Sequence, residues 1–329
     1  MFHFSNYLEV IYLDTIHGSW KRIHFFYSAD TTQKFLSKCY TKLKIKDAET
    51  KSYDNCYPFI YYLEQGEAFY NEASKAPLSI KPIMLYYGLI HLIKACLLTV
   101  DPFYPSSTSV LAHGVSTRKR KKRNYKFLDD EIKIQKNGLC SYFSEQLFHV
   151  KQLEGEKFKM ADLLFLVVEL DDIYYFLTNK KNMISLEQTD EKTCIIPKKI
   201  EELYFMDSRR LKEYLDHKCE GNILWENNKS SLLSLEKSIT VPAPFRWHLK
   251  KQNLYLPSRI QPFSNLPDLI IHYLLLYNLS MISRYETEWW MELIKTTPNS
   301  DFPFITEFLD ITEEKSPFLI ERFLNELVT

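Results

Sequence analysis

The stretch Leu78–Gly114, LSIKPIMLYYGLIHLIKACLLTVDPFYPSSTSVLAHG, decides how the rest of the chain is read. From Ile83 to Val100 it is apolar on nearly every side of a helical projection, sparing only a strip through Gly88, His91 and Lys94. A surface helix carries one apolar stripe, so a helix apolar almost all round is enclosed by others. Pro82 falls in the first turn, where a missing N–H costs little, and Ser79 is placed to cap the helix. Asp101-Pro102 and Pro105-Ser-Ser-Thr-Ser109 end it, and the chain then passes through His113-Gly114. A partner stretch, Leu266–Trp290 (LPDLIIHYLLLYNLSMISRYETEWW), has the same character. A bilayer span needs about 20 predominantly apolar residues. His91 and Lys94 interrupt one stretch, and His272 and Asn278 the other, so both are expected as helices buried in a soluble core.

Working outward, Ser28 to Thr32 offers caps for a helix in which Phe35, Leu36, Cys39, Tyr40 and Leu43 recur at helical spacing. Residues 57–76 read as a helix with aromatics on one face, interrupted at Gly66 and closed by Pro77. From about 125 to 260 the texture changes. Residues 127–135 alternate, and Asn137-Gly138 is a hairpin signal. MADLLFLVVEL (160–170) fits a short helix or a buried strand. Residues 193–200, 202–206 and 245–262 read as extended, and 208–218 as a helix. Beyond Pro267 four helices are expected, 267–283, 286–296, 302–312 and 317–328, the last opened by Ser316-Pro317. The prediction is a mainly α fold with an α/β middle part, its N- and C-terminal helices packed into one helical core. Residues 1–118 are the first part of that core, 119–260 the mixed elaboration and 261–329 the second part.

Composition narrows the function. Seven glycines in 329 residues are too few for Gly-rich phosphate loops, propellers or sandwiches. Forty-two basic side chains balance forty-two acidic ones, so no global field draws the chain to nucleic acid or membrane and any electrostatic function is local. The six cysteines (39, 56, 96, 140, 194 and 219) are scattered without C-x-x-C, and the N-terminus lacks a signal-peptide pattern, so a reducing cytoplasmic setting is expected.

The sharpest local charge is Arg118-Lys-Arg-Lys-Lys-Arg123, where Arg118, Arg120, Lys122 and Arg123 are candidate anion contacts, joined by Arg284 at the end of the second apolar stretch. Clustered cations bind phosphates by releasing counterions; the bland alternative is a solvated loop neutralised by Asp129-Asp130-Glu131. His113, just upstream, is a candidate general acid or base. Tyr86, Tyr87 and His91 are candidates to line a pocket, although His91 and His272 also read as satisfied core groups. Arg284 has two readings, a clamp bonding loop carbonyls or a wall of an anion site with His113. Arg210-Leu-Lys-Glu-Tyr-Leu-Asp-His217 is an R-x6-H, a spacing that chance alone supplies in a chain of this length. His217-x-Cys219 has no second pair at zinc spacing, and Walker, G-x-S-x-G and H-E-x-x-H patterns are missing, so neither metal nor cofactor is expected.

In KPIMLYYGLIHLIKACLLT, LAHG and LLYNLSMISRYETEWW the chain resembles the YaaC-like family of bacterial proteins. That resemblance covers most of the chain and implies a bacterial cytoplasmic origin without implying a reaction. The first helical part also resembles HEPN-type bundles, which act as RNA-cutting toxins or as binding modules; here Arg210 and His217 fall outside the matching helices. The expected function is therefore a non-enzymatic binding or regulatory protein for an anionic partner: a phosphate, nucleotide or nucleic acid met through the basic loop, or a protein. The alternatives are a metal-independent ribonuclease using His113 or Arg210 and His217, and a small-molecule enzyme with a pocket between the helical and mixed parts.

Overall fold

A computed structural model describes residues 18–117, 125–151, 153–188, 193–219, 223–225, 232–234, 241–261, 263–297 and 299–328. A short helix, α1 (Gly18–Ile23), precedes α2 (Ala29–Lys42), which Ser28 caps by accepting the Thr31 N–H at 3.4 Å. The periodic Phe35, Leu36, Cys39 and Tyr40 are buried. α3 (Ala48–Ala73) packs along α4 (Lys81–Val100). α3 begins earlier than its sequence suggests and runs through both Pro58 and Gly66. Gly66 does not interrupt it; it makes room for α4. A Cβ on Gly66 would sit 2.6 Å from Leu92 Cδ2, and one on Gly88 2.7 Å from the Tyr70 ring. Ser79 does not cap α4 with its hydroxyl. Its carbonyl accepts from Ser283 Oγ at 2.6 Å and Trp290 Nε1 at 3.0 Å, tying the start of α4 to the C-terminal helices.

The middle part opens with β1 (Val115–Thr117) and β2 (Glu131–Ile134), continues through α5 (Leu139–Phe148) to β3 (Lys157–Lys159), and follows with α6 (Met160–Phe165) and α7 (Asp171–Thr178). The strands form one antiparallel sheet, with Val115 opposite Ile134 and Ile132 opposite Phe158. Asn137-Gly138 does not make the expected hairpin. Gly138 has φ +127°, but Leu139, Cys140, Phe143 and Leu147 then bury one helical face, so the chain leaves the turn as α5. Residues 160–170 resolve as α6 and a 3-10 turn at Val168–Leu170. Ile132, Phe143, Phe158 and Leu163 bury in the same core as α4.

Next come β4 (Met183–Ser185), β5 (Glu187–Gln188), β6 (Thr193–Ile195), α8 (Lys199–Tyr204), α9 (Ser208–Lys218), β7 (Leu224–Trp225), β8 (Leu232–Ser234), β9 (Arg246–His248) and β10 (Asn253–Pro257). They make two small antiparallel sheets, β4-β10-β9 and β5-β6-β8-β7. Residues 202–206 are not extended: Ile200 and Tyr204, four apart, turn α8 onto a second, smaller core with Leu211, Leu215, Leu254 and Leu256.

The chain closes with α10 (Asp268–Tyr285), α11 (Thr287–Thr296) and α12 (Asp301–Val328). α12 is one helix where two were expected. Pro317 lies inside it, and burial of Phe308, Leu309, Phe318 and Ile320 on both sides of the proline holds the two halves together. Both α10 and α12 pack on α4, so the N- and C-terminal helices share one core and the fold is mainly α with a mixed middle. Arg22 grips Glu321 with two bonds of 2.6 and 3.0 Å, joining α1 to α12. α4 is long and apolar enough to cross a membrane, and 67% of its apolar window is buried inside the fold. All six cysteines are buried.

Four charges cluster where these parts meet, three of them buried and Asp268 14% exposed. Lys315 of α12 donates to both Glu169 oxygens (3.0 and 2.9 Å) and to the Trp247 carbonyl, and lies 3.1 Å from Asp268. Arg246 reaches Asp268 at 2.5 Å and the Leu266 and Ser264 carbonyls. Two cations thus face two carboxylates, each cation only 1% exposed.

Candidate anion-binding groove

The polar strip of α4 faces outward. Tyr87, His91 and Lys94 are only partly buried, whereas Leu85, Tyr86, Leu89 and Leu92 on the other sides are sealed. Phe69 and Tyr62 of α3 flank the strip: Phe69 stacks on the His91 ring at 5.7 Å and 15°, and Lys94 Nζ lies 5.6 Å over the Tyr62 ring. From the opposite side α10 contributes Arg284, which donates to Tyr87 Oη at 3.1 Å and to the Ser280 carbonyl, and stacks on the Tyr87 and Tyr285 rings.

His113 completes the groove, and the backbone on both sides of it is fixed. The Leu139 and Cys140 N–H groups at the start of α5 donate to the carbonyls of Ala112 and His113, and Gln135 N–H to that of Gly114. Gly114 adopts φ +76°, and a Cβ there would meet Cys140 N at 2.9 Å. Only glycine fits such a turn packed against another backbone. The imidazole bonds inward, its Nδ1 2.9 Å from Tyr86 Oη. Tyr86 Oη in turn lies 3.1 Å from Tyr273 Oη, and Tyr273 donates to the His113 carbonyl at 2.7 Å, closing a ring of three residues from α4, α10 and the loop.

The electrostatics are one-sided. Burial lowers the pKa of His113, and the nearby Arg284 and Lys94 push it the same way. Burial and Lys94 bring His91 down to about 4, and burial alone lowers Lys94. No carboxylate pairs with Lys94 or Arg284 among the described residues. Neutral imidazoles beside two unpaired cations over an aromatic floor suit an anion that also offers a hydrogen-bond donor. Among the described residues no group of three or more His, Cys, Asp or Glu is placed to hold a metal ion.

A family profile described as YaaC-like Protein matches residues 24–324, nearly the whole chain. The chain belongs to the YaaC-like family. No curated protein and no solved structure matches it.

Of the residues singled out from the sequence, this YaaC-like chain brings Tyr87, His91, His113 and Arg284 to one groove, with Tyr86 sealed beneath it and bonded to His113. His91 is not a satisfied core group, since its Nδ1 has no partner among the described residues; His272 is one, bonded to Thr312 Oγ1 at 2.5 Å. Among the described residues Arg284 bonds no loop carbonyl; it reaches α4 through Tyr87, and Trp290 and Ser283 on Ser79 also join α4 to the C-terminal helices. Arg210 and His217 are exposed on α9, over the second core, with no bond to the groove. Arg118, Arg120, Lys122 and Arg123 lie outside the described residues. Sequence reasoning did not assign Lys94, Phe69 or Tyr273 to the site. Lys94 had a legible signal, a cation three residues after His91 in an otherwise apolar helix; Tyr273 had none.

Proposed function

We propose that this YaaC-like chain is a cytoplasmic binding or regulatory protein whose α4 groove holds the phosphate of a small ligand such as a nucleotide. The observation that carries this reading is the pair Lys94 and Arg284, partly buried cations without a carboxylate partner among the described residues, set on either side of Tyr87 and His91. A desolvated cation without a counter-ion is costly, and a bound anion supplies one. The test is isothermal titration calorimetry with inorganic pyrophosphate at low and high salt. Charge-assisted hydrogen bonds contribute about 1.5–3 kcal/mol, so Lys94→Gln and Arg284→Gln should each weaken binding by about tenfold or more. Added salt should weaken it further. Undiminished affinity in both variants would refute the assignment.

A ribonuclease reading using Arg210 and His217 gains no support from their exposed position on α9. Cleavage of RNA in EDTA by the wild type but not by His217→Ala would favour it instead.

A further inference from the structure

The ring of bonds around His113 settles which of its nitrogens carries the proton. The His113 carbonyl can only accept, so the single Tyr273 hydroxyl proton is used there. The 3.1 Å contact between the two phenols then requires Tyr86 to be the donor, which uses its only proton. With that proton directed at Tyr273, Tyr86 Oη can meet His113 Nδ1 only as an acceptor, so Nδ1 bears the hydrogen. A neutral imidazole has one N–H, so its lone pair is on Nε2. Among the described residues that atom bonds no protein group, it is not sealed from solvent, and Tyr87 and Tyr277 bracket the ring at 6.4 and 5.7 Å.

We infer that His113 Nε2 is a fixed hydrogen-bond acceptor in the groove, and that the site selects phosphate esters carrying a hydroxyl close to the phosphate over those without one. The inference rests on the phosphate reading above but adds a requirement that the cations do not impose. Lys94 and Arg284 are donors only and attract any anion alike. An acceptor locked beside them is left unsatisfied by a bare phosphate ester and satisfied by one with a neighbouring hydroxyl. Sites built to bond a hydroxyl discriminate against the analogue lacking it, because the buried partner is then unpaired. Sugar phosphates and ribonucleotides share this chemistry.

The test is calorimetric titration of the full chain with adenosine 5′-monophosphate, its 2′,3′-dideoxy analogue, ribose 5-phosphate and inorganic pyrophosphate. Wild type should bind the hydroxylated nucleotide about tenfold more tightly than the dideoxy form, the ratio corresponding to one net hydrogen bond. His113→Asn keeps a donor for Tyr86 but has nothing at the Nε2 position. It should lose the ratio, the hydroxylated nucleotide falling to the affinity of the dideoxy form. Ribose 5-phosphate matching the nucleotide would identify a sugar phosphate as ligand; markedly weaker binding would identify a nucleotide. Equal wild-type affinity for the two nucleotides, or a ratio that survives in His113→Asn, would overturn the inference yet leave the anion site standing. Loss of all four titrations would overturn both. Nitrogen NMR of ¹⁵N-histidine protein reads the tautomer without any substitution, and a protonated Nε2 at neutral pH would likewise overturn the inference.

Discussion

Lys315 is one of four charges clustered between α12, α10 and the middle part, and replacing it with methionine tests how that cluster is balanced. In the wild type its ammonium faces Glu169 and Asp268, while Arg246 faces Asp268 alone. Methionine fills similar volume but leaves two carboxylates with one guanidinium. Asp268 keeps Arg246; among the described residues Glu169 keeps only the Leu249 N–H at 3.0 Å. Removing one partner of a buried pair costs about 3–5 kcal/mol because the other charge is left uncompensated. At about 2.1 cal/mol/K of unfolding entropy per residue, a chain of 329 residues loses about 1.5 °C per kcal/mol, so the melting temperature should fall by about 4–7 °C. The companion variant Lys315→Met with Glu169→Gln removes the orphaned charge, so it should recover about 2 kcal/mol or more relative to additivity. Urea unfolding followed by circular dichroism gives all corners of the cycle. A loss below about 1 kcal/mol for Lys315→Met, or strictly additive effects, would show that water or local rearrangement reaches the cluster and that the charges are not sealed.

Acid should destabilise the protein well above the carboxylate range. Burial lowers the pKa values of His272 and His91 to about 3 and 4 from the ordinary 6.5, so the unfolded chain binds more protons below pH 6.5. The stability present above pH 6.5 should therefore drain away as pH falls towards 4. The urea midpoint recorded between pH 8 and 4.5 should fall, less steeply in His272→Leu; a flat profile refutes the burial of these rings. Gly88→Ala places a methyl against the sealed Tyr70 ring. Overpacking of about 1–3 kcal/mol is set against a helix-propensity gain of about 1, leaving a net loss of up to about 2 kcal/mol. A more stable alanine variant would mean that α3 and α4 can separate freely.

The two central helices were readable because a segment apolar on every side has one stable place, inside other helices. The breaks were misread where local rules met tertiary packing. Gly66 looks like an interruption, but the close neighbour that requires it, Leu92, is visible only once α3 and α4 are side by side. Pro317 looks like a helix start because the burial that carries α12 through it comes from distant elements. The groove was half legible for the same reason. Histidine, arginine and tyrosine mark themselves by type, but the bond between Tyr86 and Tyr273 joins positions 187 apart, and no local pattern encodes that meeting.

The placement of α4 also sets an order of events during synthesis. Its covering helix α10 begins about 170 residues after α4 ends. At about 5–20 residues per second the ribosome needs roughly ten to thirty seconds to deliver it. Throughout that interval the most apolar helix of the chain has α2 and α3 against it but lacks α10 and α12. A nascent chain in that state offers a sticky, membrane-like surface, so holding chaperones should engage it between the two helices and leave once α12 docks. The same geometry predicts that premature termination anywhere in the middle part yields aggregates rather than a smaller folded protein.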